Sequence, residues 1–144
     1  MIGKTIARRF DRREAEATLP LVRRIVADIE SDNERLQAIL PDLRAARIRA
    51  RRSDAPVPGL GDLRREVAEI TTRFESYLAE LASIGCVYRG ATGHVDFRGE
   101  HAGRPVFYCW APDEEAISHV HLLGADCRLR EPVGLGAALP LGGG

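Results

Sequence analysis

In the first half of the chain the apolar positions recur at alternating steps of four and three. Ala15, Leu19, Val22, Val26, Ile29, Leu36, Leu40 and Leu43 form one row, with Asn33 in its single missing step. Leu63, Val67, Ile70, Phe74, Tyr77, Leu81 and Ile84 form a second. Such alternation averages about 3.5 residues, the seam of helices that pack nearly in line. Between the rows, residues 53–61 read Ser-Asp-Ala-Pro-Val-Pro-Gly-Leu-Gly, a turn between antiparallel neighbours. The pattern therefore predicts a long two-helix hairpin over about residues 11–84.

Local signals set its expected ends. Asp11 followed by Glu14 is a capping-box pattern, Asp62 is a candidate N-cap, and Gly85 stands where a left-handed residue closes a helix. Pro20 disfavours helical geometry at Leu19, which predicts a short N-terminal capping helix, a bend, and a long arm from about Pro20. Pro41 is expected to kink or shorten that arm. Ile25, Ile39 and Ile48 lie beside the seam and need cover, from the rest of the chain or from a second copy; a homodimer is expected on that ground. Asn33 either fixes the pairing of helices or lies just outside the contact.

After Gly85 the period falls to two. Cys86–Arg89, His94–Phe97, Pro105–Trp110 and Ala116–Leu123 read as short strands punctuated by Gly90, Gly93, Gly99, Gly103 and Pro112-Asp113. The fold class is α+β: the hairpin packed on a small antiparallel sheet at about residues 86–123, as a single domain over 1–133. The Gly-rich tail, 134–144, is expected to be disordered.

Composition narrows the partners. Lys+Arg and Asp+Glu both number 21, so there is no bulk charge to draw in nucleic acid or an anionic membrane. Arg44, Arg47, Arg49, Arg51 and Arg52 cluster at the end of the first helix, where cations also complement the helix dipole. No apolar run is long enough to span a bilayer, and Gly59-Leu60-Gly61 lacks the Lys-Ser/Thr ending of a phosphate loop, so no nucleotide cofactor is expected. Cys86, Cys109 and Cys127 are an odd set without CxxC spacing, neither a disulfide framework nor a zinc ribbon; a reduced, cytoplasmic setting is expected.

The candidate chemistry lies in the second half. Asp96 sits between Val95 and Phe97, where a carboxylate must face solvent or be paired, hydrogen-bonded or metal-bound. His119 and His121 share one strand face, as do His94 and Asp96; if those strands pair, their donors suit Zn, Mn or Fe. Asp96, His121 and Glu114 are the leading metal ligands, with His119 and Glu14 as substitutes. Without a metal, Asp96 or Glu114 with His121 forms a proton-transfer pair. Arg130 or Arg104 would clamp a substrate carboxylate or phosphate, although a surface ion pair also accounts for each. Cys109 reads as a core cysteine more readily than as a nucleophile. Trp110 walls a pocket or packs on the hairpin.

Taken together, Phe10-x-x-x-Glu14-Ala15-x-x-x-Leu19-Pro20, Gly93-x-Val95-Asp96-Phe97, Arg104-Pro105-Val106-x-x-Cys109-Trp110, Glu114-x-x-Ile117, His121 and Arg130-x-Pro132 resemble the domain-of-unknown-function 2203 family. The resemblance runs from about Phe10 to Val133 and implies no established activity. Glu16 stands where that pattern has Asn, and Asp113 and Asp126 where it has Gly. Two functions of different class follow. One is a small metal-dependent enzyme acting on a small polar or anionic molecule at the junction of sheet and hairpin. The other is a non-enzymatic, dimeric helical-hairpin adaptor.

Overall fold

The computed structural model describes residues 8–133. Both apolar rows form helices: α1 spans Arg12–Arg52 and α2 spans Leu60–Ile84. The start of α1 is a complete capping box. Glu14 N–H donates to Asp11 Oδ1 at 2.7 Å, and Asp11 N–H donates to Glu14 Oε1 at 2.8 Å. The short capping helix expected before Pro20 does not exist; α1 runs unbroken through both Pro20 and Pro41. An interior proline costs about 3 kcal/mol. Ala15, Leu19 and Val22 are all buried, and burying a residue such as Leu or Val contributes about 1.5–3 kcal/mol, so a break that turned this stripe out of the core would cost more than the missing bond.

The second helix starts earlier than Asp62. Gly59, with φ of 86°, turns the chain, and Leu63 N–H already donates to the Gly59 carbonyl at 3.0 Å. Asp62 thus lies inside the first turn, held by Arg65 at 2.9 Å. At the other end Gly85, with φ of 105°, donates to the Ala82 and Leu81 carbonyls, and Cys86 N–H donates to Leu81 as well.

The chain forms two compact units, one of Ile25–Ala79 and the other of the residues on either side of it. In the first, Arg35 grips Glu66 and Arg73 grips Asp32, each through two hydrogen bonds, which fixes the helices as antiparallel. Ile25 and Ile39 are buried within the chain, whereas Ile48 is 43% exposed. Asn33 is exposed and lies outside the contact. Among the described residues, no helix is long and apolar enough to cross a membrane.

The other unit holds the sheet, whose strands are β1 (Val87–Arg89), β2 (His94–His101), β3 (Arg104–Trp110), β4 (His119–Leu122) and β5 (Glu131–Pro132). They lie in chain order and every neighbouring pair is antiparallel. Residues that alternate along a strand take opposite faces, and cross-strand partners share one. Val95, Phe97, Val106, Tyr108, Trp110 and Val120 accordingly form one apolar, buried face. The beginning of the chain covers it. Phe10 stacks edge-on against Phe97 with centroids 5.2 Å apart, and Arg12 and Glu16 bond the backbone of Ile117. Phe10 also bridges Gly99 in parallel, its N–H donating to the Arg98 carbonyl at 2.8 Å.

Candidate metal centre

The opposite face of the sheet is polar. Asp96 on β2 stands directly across from Cys109 on β3, which in turn faces His119 on β4; His121 lies two residues further along the same face. The His94–Asp96 and His119–His121 strands do not pair, because β3 separates them. His121 nevertheless reaches past β3, and its Nε2 lies 3.0 Å from Asp96 Oδ2. From the chain after β4, a short 3₁₀ turn over Cys127–Leu129, capped by Asp126, brings in Cys127, whose thiol points to Asp96 Oδ1 at 3.9 Å. The ligand atoms of Asp96, Cys109, His121 and Cys127 all lie within 4.8 Å of one another, and all four residues are buried.

Two outer contacts orient this group. Arg89 on β1 donates from Nε to Asp96 Oδ2 at 2.8 Å, with its guanidinium 5.2 Å above the Phe107 ring. His121 Nδ1 lies 3.0 Å from the Leu122 carbonyl. A carbonyl only accepts, so Nδ1 carries hydrogen, and Nε2 is the nitrogen turned to Asp96. Two arrangements satisfy that encounter: a second proton on the imidazole, or a cation shared by nitrogen and carboxylate. A backbone carbonyl that fixes the remote ring nitrogen is the usual second contact of a metal-bound histidine.

The charges follow from these contacts. Burial raises the Asp96 carboxyl, but the hydrogen bonds from His121 and Arg89 outweigh it and hold the group below the usual carboxylate range. Burial lowers His121, but the hydrogen bonds to Asp96 and the Leu122 carbonyl, with the Asp96 charge, together outweigh it and give a net rise. Burial, joined by the Asp96 charge, pushes the Cys109 thiol well up. Without a metal Cys109 is therefore a protonated thiol rather than a nucleophile.

Glu114, His119 and Arg130 come together in a second cluster. Arg130 donates to both Glu114 oxygens, at 3.0 and 2.8 Å, and His119 Nδ1 lies 3.3 Å from Glu114 Oε2. Glu114 also accepts from Ala111 N–H at 2.8 Å, while its carbonyl accepts from Trp110 Nε1 at 2.8 Å. These bonds pin the loop between β3 and β4, and Arg130 is spent on them instead of standing open to a substrate. Glu14 is occupied in the helix cap. Arg104 is exposed at the start of β3, away from Cys109 and Trp110 at its end. Trp110 is fully buried on the apolar face, with Arg23 5.3 Å over its ring.

Cys127 and Arg89 are not legible as site residues from sequence, and Cys109 is legible there only as a core cysteine or a nucleophile. One signal did exist: Val106, Tyr108 and Trp110 alternate as the apolar side of β3, which assigns Cys109 to the side of Asp96. Nothing local points to Cys127, which arrives from an irregular segment.

Neither the curated proteins nor the solved structures compared with this chain include a match. A family model, described as an uncharacterized conserved protein family, matches residues 8–133, which takes in the hairpin, every strand among the described residues and all four residues of the buried cluster. The chain belongs to that family, DUF2203.

Proposed function

We propose that this protein is a small metal-dependent enzyme in which Asp96, Cys109, His121 and Cys127 hold a divalent transition ion. The observation that carries the reading is the convergence of those four ligand atoms within 4.8 Å. Ligands at zinc distances of about 2.0–2.3 Å sit about 3.3–3.8 Å apart in a tetrahedron, so a small contraction of the group suffices. Two thiolates beside an imidazole and a carboxylate favour zinc over manganese, with iron second. Two thiolates and a carboxylate around a divalent cation leave one negative charge, and the Arg89 guanidinium against Asp96 offsets it.

An enzyme is favoured over a helical adaptor because a cavity of about 500 Å³ opens on His121 and Cys127. A purely structural ion needs no such access. When bound, zinc would act as a Lewis acid, taking a water or a substrate oxygen as an added fifth ligand from the cavity side. The chain's own residues set the geometry: Arg89 orients the carboxylate, and the Leu122 carbonyl selects the histidine nitrogen.

Elemental analysis of untagged protein tests this. About one zinc per chain is expected, lost in the Cys109→Ser/Cys127→Ser double variant while helix and sheet content persist. Wild-type protein that is metal-free and takes up no zinc on titration overturns the reading.

A further inference from the structure

The cavity beside the four ligands has one cation in its wall that is only half used. Arg89, Thr92, His121, Asp126, Cys127 and Arg128 are among its lining residues. Arg128 is neutralised: it donates to Asp126 from its backbone N–H at 2.9 Å and from Nη2 at 2.8 Å. Arg89 differs. Its Nε is committed to Asp96, and the Phe107 ring beneath the guanidinium holds the plane in place. Its two terminal nitrogens make no hydrogen bond among the described residues, and the side chain is 41% exposed.

A guanidinium held by its Nε in a cavity wall, with Nη1 and Nη2 unbonded among the described residues, is a ready fork for an oxyanion, with less rotamer entropy left to lose on binding. The same cavity reaches His121 and Cys127. At about 500 Å³ it has room for a metabolite-sized molecule.

We infer that Arg89 is the substrate-recognising residue: it grips the carboxylate or phosphate of a small anionic molecule whose remainder lies against the His121 and Cys127 side of the cavity. This rests on the metal-enzyme reading for the role of that side, and on Arg89 alone for the anion. The residue has a double duty, since the group that holds the Asp96 carboxylate also grips the incoming anion. An occupied cavity thereby touches the metal ligands through a single side chain.

The test follows the Arg89 Nε–H resonance by NMR while inorganic phosphate, and separately acetate, is titrated into zinc-loaded and zinc-free protein. A saturable shift with one or both probes is expected, and the tighter one identifies the anion class. Arg89→Lys keeps the charge but loses the fork. Ala125→Trp fills the cavity from another of its lining residues, one that makes none of the Asp96 contacts. Each variant, followed through the backbone amide of Thr92, should bind the preferred probe at least about tenfold more weakly, with zinc content unchanged in Ala125→Trp. Absence of saturable binding by either probe overturns the inference, as does unaltered affinity in both variants. Arg89-dependent binding in a protein that takes up no zinc would uphold the anion site and overturn the metal reading.

Discussion

His121 Nε2 lies 3.0 Å from Asp96 Oδ2 across the width of an intervening strand, and the two side chains are almost wholly enclosed, at 1% and 0% exposure. Asp96 is also the acceptor for Arg89 and Cys127, so one carboxylate gathers partners from three other segments of the chain. Removing it strands a buried imidazole and a guanidinium together. Asp96→Ala should cost about 3–5 kcal/mol, the range for removing one member of a buried charged pair. Urea denaturation of metal-free protein at neutral pH measures it, and a loss under about 1 kcal/mol would mean the cluster contributes little to the fold.

The cysteines should differ in reactivity. Burial pushes the Cys86 thiol up to about 12, with only a backbone hydrogen bond opposing it, so it should resist iodoacetamide at pH 8 with or without zinc. Cys127 borders the cavity and should be alkylated in metal-free protein and protected by zinc. Peptide mapping by mass spectrometry reads both. Equal labelling of Cys127 in the two states would contradict the proposal that it is a metal ligand.

Glu114 supplies a pH dependence of stability. Burial raises its carboxyl, but the Arg130 hydrogen bonds, the Ala111 N–H and the charges of Arg130 and His119 together outweigh it and hold the group below its ordinary 4.5. A depressed carboxylate stabilises the fold fully above its unfolded value, and that contribution disappears as pH falls through the lower folded value. Glu114→Gln should therefore cost about 1.5–3 kcal/mol at pH 7, as expected for hydrogen bonds to a charged group. The gap between variant and wild type should narrow as the pH drops below 4.5. Parallel urea melts across that range check the sign; a gap that widens toward acid would refute it.

Gly99 is required for a different reason, close approach. A Cβ there would meet the Phe10 carbonyl oxygen at 2.3 Å and the Tyr108 ring at 2.7 Å. Gly99→Ala should destabilise by about 1–3 kcal/mol, the cost of overpacking, and should release Phe10 from its seat on β2. Faster amide exchange at Phe10, whose N–H is bonded to Arg98, would report that release. An unchanged melting temperature would show that the chain start simply shifts aside.

Much of the architecture is written in local pattern. The two rows of apolar residues specify α1 and α2, Asp11 with Glu14 caps the first, Gly85 closes the second, and period-two alternation marks β1 to β4. These features depend on side chains within a turn or two of one another, which is why a single chain of letters carries them. Pro20 was misleading because its local penalty is opposed by the burial of Ala15, Leu19 and Val22, a tertiary effect. The site divides in the same way. Asp96 and His121 stand out as polar residues in apolar strands, so sequence alone marks them as needing partners. Which partners they obtain is decided only by the order of strands in the sheet and by the return of the chain after β4. That order places β3, and with it Cys109, between β2 and β4; the 3₁₀ turn then lays Cys127 over them, and β1 swings Arg89 onto Asp96. Glu114, Arg130 and His119 carry similar chemistry in sequence, yet the loop they pin draws them into a separate ion-paired cluster. Residue type and period determine which groups can act. Only the non-local pairing of strands, in which contacts far apart in the chain are formed together, decides which of them meet.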